Sequence, residues 1–267
     1  MDGGISDIRI QILFLIRNRI FIPINAFIIL KTSFLFFVLS VFILGHLPCA
    51  AQDNFSIETL TGKSSPKLYG DGIGLQKEAY DAFLKMKADA KKQGIEIHVA
   101  SGYRSFSRQK SIWNRKYKTY TDQGMTPLDA MAKIIAYSTY PGTSRHHWGT
   151  DIDIIDAAAT YSGSVLDPDK FEGDGPFCEL KEWMDKNANT YGFYLVYTKN
   201  PNRKGFNYEP WHYSYKPISK PMLEAYLKLD IQHIIKAEKL SGHQHMTADF
   251  INRYIDENVL GINPDLK

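Results

Sequence analysis

Residues 144–153 read Ser144-Arg145-His146-His147-Trp148-Gly149-Thr150-Asp151-Ile152-Asp153, and residues 209–212 read Glu209-Pro210-Trp211-His212. The first stretch passes from a polar, glycine-punctuated loop into strict alternation at Asp151-Ile152-Asp153-Ile154, which reads as a strand. Together the two stretches offer two imidazoles, a carboxylate spaced to share a metal with them, and a second carboxylate beside the last imidazole. Three protein ligands, an open position and a base are the parts of a catalytic zinc site.

Each stretch has a plainer reading. In an alternating strand Asp151 and Asp153 point to one face, so either could reach a metal held by His146. Alone, that pattern describes solvated residues on an edge strand. Glu209 and His212 would face opposite sides of a regular strand. Pro210 lacks an N–H and marks an irregular strand start or an edge, where Glu209 can swing to the side of His212. The two stretches together favour a site over two unrelated edge strands.

The rest of the chain supplies a mixed pattern. Apolar residues one helical turn apart at Leu75, Ala79, Phe83 and Met86 predict a helix over 75–93, stopped by Gly94. Ile95–Val99 alternates as a strand, with His98 on its polar face. Helices are predicted over 107–117, 127–137 (Pro127 in the first turn) and 180–190. Further strands are predicted over 150–155, 193–198 and 208–215, the last two forming an antiparallel hairpin. This is an α+β chain: a small antiparallel sheet with flanking helices. Residues 221–258 predict two or three amphipathic helices beyond it, either a small subdomain or a dimer element.

The chain has 267 residues, 44% hydrophobic and 23% charged, with 16 Tyr and 15 Phe. Its formal charge of +3 comes from scattered Lys and Arg, which form no basic stripe for nucleic acid. Lys31, the apolar run Phe34–Leu44 and Cys49-Ala50-Ala51 match a secretory signal peptide cut after Ala51. Ile20–Leu30 is also largely apolar, so an uncleaved N-terminal anchor is the rival reading, and only then would the protein be tied to the membrane. The long stretch ahead of the charged flank predicts that translation starts near Leu30. Beyond residue 51 the chain carries 28 basic and 27 acidic residues and keeps Cys178 alone, which excludes an intrachain disulfide there. Cys178 is expected to be a buried packing residue.

Ser144-x-His146-x-x-Gly149-x-x-x-Asp153 with Glu209-x-x-His212 resembles the VanY-type D-alanyl-D-alanine carboxypeptidases, zinc D,D-peptidases that share a fold with the hedgehog signalling domain. Tyr103-Arg104-Ser105-Phe106-Ser107-Arg108-Gln109 is similar to that family's Tyr-Arg-Ser-x-x-x-Gln segment. The resemblance spans about residues 75–215. It implies one zinc bound by His146, Asp153 and His212, with Glu209 as general base and Arg104 holding the substrate carbonyl as it becomes an oxyanion. It also implies that Ser144 and Gln109, with Tyr103, bind the substrate's terminal carboxylate or nearby backbone. The expected organisation is a signal peptide or anchor at 1–51, a catalytic domain at 52–217 and a C-terminal helical extension at 218–267.

Two positions depart from the family pattern. Asp151 stands where many members carry Ala, as a partner for a histidine or a like charge raising the base's pKa. His147 adjoins His146 and is expected behind the ligands or at the surface. His243 and His245 are expected in a solvated loop. The resulting expectation is a secreted or periplasmic zinc peptidase that removes a terminal D-alanine from peptidoglycan stem peptides. L,D-carboxypeptidases and D,D-dipeptidases share these motifs. A non-catalytic cell-wall-binding module is the rival from another class, and it would need no base at Glu209. Nothing in the sequence sets the oligomeric state.

Overall fold

The structure is a computed structural model that describes residues 55–267. The expectations of a signal peptide, an anchor and a start near Leu30 lie outside those residues. Among the described residues no helix is long and apolar enough to cross a membrane.

A short helix α1 (Ile57–Leu60) leads into α2 (Lys77–Lys91) and strand β1 (Ile97–Ser101). Helices α3 (Phe106–Asp122) and α4 (Pro127–Ile135) follow, then a 3₁₀ turn at Arg145–Trp148 and strand β2 (Asp151–Asp156). Helix α5 (Cys178–Asn187), strands β3 (Phe193–Leu195) and β4 (His212–Tyr215), and helices α6 (Lys216–Tyr226), α7 (Ile231–Ala237) and α8 (Ala248–Tyr254) complete the chain. The helix starts obey local chemistry. Ser105 Oγ accepts from the Arg108 N–H (3.2 Å) at the head of α3. Thr126 does the same for Asp129 (3.2 Å), and Pro127 opens α4 where its missing N–H costs nothing.

The four strands pair antiparallel in the order β1-β2-β4-β3. Both β2 and β4 are therefore central, and every residue of each is buried. This corrects the edge reading of the two motifs. Pro210 lies just outside β4, so it removes no ladder bond. The β3–β4 pair is the expected hairpin, but residues 196–211 join it as a long loop, because the strands are shorter than the alternation suggested.

One face of the sheet is apolar. Ile152, Ile154, Tyr213 and Tyr215 pack there with Phe83 and Met86 of α2 and Leu180 and Trp183 of α5. Each fully buried side chain of this size contributes roughly 1.5–3 kcal/mol. A second cluster gathers Trp113, Met131, Tyr140 and Trp148 with Tyr226, Ile251 and Tyr254 from the C-terminal helices. The described residues, 55–267, belong to one compact unit. Residues 218–267, expected as an appended extension, thus share a core with the motif-bearing segments. Their hydroxyls also reach inward. Tyr254 Oη accepts the Tyr140 N–H (3.0 Å) and bonds Thr143 Oγ1 (2.7 Å), while Tyr226 donates to the Gly142 carbonyl (2.9 Å). Cys178 is half-buried at the start of α5, its Sγ on the Gly173 carbonyl (3.2 Å), so it is no core residue.

Gly149 turns the chain from the 3₁₀ segment into β2 at φ +65°, where a Cβ would lie 2.6 Å from Leu68 Cδ2. A side chain in that left-handed region costs about 1–3 kcal/mol. Gly149→Ala is expected to lower stability by that amount in urea unfolding. An unchanged midpoint would show that the turn relaxes freely.

Candidate active site

The polar face of the sheet carries the site. The β2–β4 register sets Asp153 opposite His212 and Asp151 opposite Ser214. His146 arrives from the 3₁₀ turn, and its ring centroid lies 4.7 Å from that of His212. One ligand atom each from His146, Asp153 and His212 lies within 4.8 Å of the other two, and all three residues are buried.

The free nitrogens are fixed by what the other nitrogens bind. His146 Nδ1 donates to the Gly102 carbonyl (2.8 Å), which leaves Nε2 facing Asp153 Oδ2 at 3.3 Å. His212 Nε2 donates to Asp151 Oδ2 (3.0 Å), which leaves Nδ1 facing Asp153 Oδ1 at 3.3 Å. Asp153 Oδ1 is buried without a hydrogen bond. Metal bonds of about 2.0–2.1 Å in a tetrahedron separate neighbouring ligand atoms by about 3.3 Å. The spacing, the N₂O donor set and the orphaned oxygen therefore fit a zinc ion held by three residues.

Asp151 is the partner of His212 and stays off the metal position. Besides His212 it accepts Arg145 Nε (2.9 Å), Ser214 Oγ (2.6 Å) and Thr150 Oγ1 (2.7 Å), and Arg145 Nη2 donates to Ser214 Oγ (2.6 Å). Burial opposes ionisation of Asp151, but the Arg145 guanidinium and His212 hold its carboxyl well below the usual range. Burial likewise opposes charge on His212. Asp153, Asp151 and Glu209 outweigh it and hold the metal-free imidazole at about 10. Carboxylate, imidazole and metal position thus form a line in which the carboxylate sets the tautomer. Arg145 carried no signal in the sequence.

Glu209 reaches the site through a turn. The His212 N–H donates to the Glu209 carbonyl (3.1 Å) across Pro210-Trp211, and the Glu209 N–H is tied to the Tyr197 carbonyl (3.2 Å). The turn, instead of a strand, brings Glu209 Oε2 to 3.3 Å from His212 Nδ1. Burial pushes the Glu209 carboxyl above its ordinary pKa, a shift suited to a group that takes and returns a proton.

Arg104 lies on the other side of Asp153, Nη2 at 3.9 Å from Oδ2. Its Nη1 donates to Gln109 Oε1 (3.0 Å) and its Nη2 to Ser101 Oγ (2.9 Å). Three bonds zip its segment to the metal segment. Besides the His146–Gly102 bond, the Arg104 N–H donates to the His146 carbonyl (3.1 Å), and His147 Nδ1 donates to the Arg104 carbonyl (2.5 Å). His147 Nε2 accepts the Gly142 N–H (3.1 Å), and burial pulls its pKa down to about 3, so it is a neutral clamp.

A cleft of about 320 Å³ opens over these groups, lined by Arg104, Ser144, His146, Asp153, Glu209 and His212 among others. Ser144 stands in it as expected, its Oγ buried and without a partner. Gln109 does not. It is fully buried, with its carbonyl on Arg104 and its amide nitrogen on the Thr139 carbonyl (2.7 Å), so it supports Arg104 instead of touching a ligand. Tyr103 is also outside the lining, its hydroxyl directed to the Ser64 carbonyl (3.3 Å). Both were placed on the substrate by the motif, which cannot distinguish a contact from its support. His147 is buried and not at the surface, while His98, His243 and His245 lie away from the cleft. A larger hollow of about 610 Å³ near Arg203, Arg253 and Glu257 contains none of the metal donors.

The chain is similar to known proteins along most of this unit. It is 33% identical over 169 residues to the protein YodJ of Bacillus subtilis, covering 62% of this chain and 55% of that one. It is 28% identical over 195 residues to a D-alanyl-D-alanine carboxypeptidase of Enterococcus faecalis, covering 72% of this chain and 63% of that one. The chain thus spans less than two thirds of either relative. Among solved structures, a vancomycin-resistance D,D-pentapeptidase VanY in complex with Zn(II) matches with a TM-score of 0.47 at 24% identity, over 64% of this chain and 89% of that one. The LdcB LD-carboxypeptidase matches with a TM-score of 0.42 at 27% identity, over 73% of this chain and 74% of that one. Residues 72–218 match the family model described as VanY, D-alanyl-D-alanine carboxypeptidase, and the chain belongs to that family.

Proposed function

We propose that this protein is a zinc-dependent carboxypeptidase that removes a C-terminal D-alanine from peptidoglycan stem peptides. The observation that carries the reading is the buried pairing of Glu209 with a three-residue metal site in an open cleft, Arg104 facing it across Asp153. A binding module would have no use for a carboxylate whose pKa is raised beside ligands. His146, Asp153 and His212 would hold the zinc. When bound, zinc supplies Lewis acidity, which activates water near neutral pH and polarises a carbonyl.

The chain's own groups do the rest. Glu209 takes the proton of the attacking water and returns it to the amine of the departing D-alanine. Arg104 is always charged and is held by Gln109 and Ser101. It donates to the carbonyl oxygen as negative charge develops there. Ser144 offers its unpartnered hydroxyl to the substrate's terminal residue. Cell-wall peptides lie outside the cytoplasmic membrane. The signal-like pattern before residue 52 supports secretion to the periplasm.

Metal content, inhibition and two variants test this. The protein lacking residues 1–51 should carry about one zinc per chain and hydrolyse a stem pentapeptide. A chelator should abolish that activity, and a serine-directed β-lactam should leave it intact. Glu209→Gln should retain zinc and lose about 10²–10⁴-fold in turnover; near-normal turnover would place the base elsewhere. Asp151→Asn should weaken zinc affinity about 10–100-fold in competition with a chelator. Unchanged affinity would show that His212 needs no carboxylate behind it.

A further inference from the structure

Glu209 stands near the end of the long loop, residues 196–211, between β3 and β4. A loop has no ladder to fix it, and its carbonyls need donors from elsewhere. Here a side chain of the loop itself supplies them. Arg203 Nε donates to the Thr198 carbonyl (3.0 Å). Its Nη1 donates to the Phe206 carbonyl (2.5 Å) and lies within reach of the Gly261 (3.2 Å) and Lys204 (3.3 Å) carbonyls. A guanidinium presents five N–H donors in a fixed planar fork, so one side chain can answer several carbonyls at once.

Arg203 also backs onto the residue that holds the base. Its Cζ lies 5.6 Å from the centre of the Tyr197 ring. Tyr197 meets the site twice. Its carbonyl accepts the Glu209 N–H (3.2 Å), and its ring meets that of His212 edge-on, with centroids 5.0 Å apart. On the other side the clamp reaches the C-terminal segment. Beside Gly261, Asn263 donates from its N–H to the Val196 carbonyl (2.9 Å) and from Nδ2 to the Leu195 carbonyl (3.0 Å). Gly205 lies so close to this segment that a Cβ would stand 1.9 Å from the Glu257 carbonyl oxygen. Arg203 thus joins the loop, Tyr197 and the C-terminal segment.

We propose that Arg203 is a positioning residue for catalysis: it fixes residues 197–209 so that Glu209 stands beside the metal position before substrate binds. This deepens the peptidase reading and rests on it. Arg203 is neither a metal donor nor part of the cleft lining, and it acts through Tyr197. A base displaced by about 1 Å can lose about 10²-fold in rate, so a clamp outside the cleft can govern turnover.

The test compares zinc-loaded Arg203→Met with the zinc-loaded parent on a stem pentapeptide. Zinc content should match the parent, because Arg203 touches no donor. Turnover, kcat, should fall about 10–100-fold while KM changes little, because Arg104 and Ser144 come from other segments. Amides of residues 197–209 should exchange hydrogen faster than in the parent. Phe83→Leu, in the core under the sheet's apolar face, lowers the thermal midpoint away from the loop and should keep kcat. Arg203→Lys keeps the charge without the fork and should recover part of the loss. If the methionine variant does not fold, a lowered kcat in the lysine variant supports the proposal and a parent-like kcat overturns it. Parent-like kcat or parent-like exchange in Arg203→Met also overturns it, as does an equal fall of kcat in Phe83→Leu. A zinc-loaded parent that leaves the peptide uncut overturns the peptidase reading and the proposal with it, a different result from loss in the variant alone.

Discussion

The pairing register of β2 and β4 is the constraint on which the site depends. It sets Asp153 beside His212 and Asp151 beside Ser214 on one face, and Ile152 beside Tyr213 on the other. A strand's side chains alternate, so a slip of one residue would move both aspartates into the apolar cluster. Four polar side chains on buried central strands would be costly if left alone. They are tolerated because each answers another: Ser214 and Arg145 answer Asp151, Asp151 answers His212, and a cation between His146, Asp153 and His212 would answer the rest.

Charge is then divided by position. Arg145, in the cleft wall, is spent on Asp151 and through it steadies His212. Arg104 faces the cleft with both its terminal nitrogens tethered, which holds its guanidinium in one orientation. Glu209 is brought beside His212 by a turn. It is the carboxylate of the group that burial pushes up, while Asp151 is held down. Two acids in one site thus acquire opposite characters from their surroundings.

Much of this was legible in the sequence. The helix start at Pro127 follows from proline's fit to a first turn, and alternation at 151–154 revealed β2 and the shared face of its aspartates. The metal donors and Glu209 came from two motifs whose spacing means little singly. What the sequence hid is tertiary. Nothing local says that β4 begins only at His212, because the turn at Pro210-Trp211 depends on Glu209 being tied to Tyr197. Gln109 and Tyr103 sit within a motif, yet their partners, Thr139 and Ser64, are distant in sequence. The doubt over Asp151 needed the position of Arg145, which local pattern does not encode. The C-terminal helices read as an appendage because amphipathicity shows that a face is buried, not against what.

Those helices bear on how the cleft is finished. Tyr254 closes a contact with Tyr140 across 114 residues, and the turn it grips carries Ser144 at its end. Contacts of such separation form after local structure, since loop closure must come first. One wall of the cleft is therefore braced by helices that lie beyond every metal donor in the chain. A chain ending soon after His212 would carry all three donors and lack that brace.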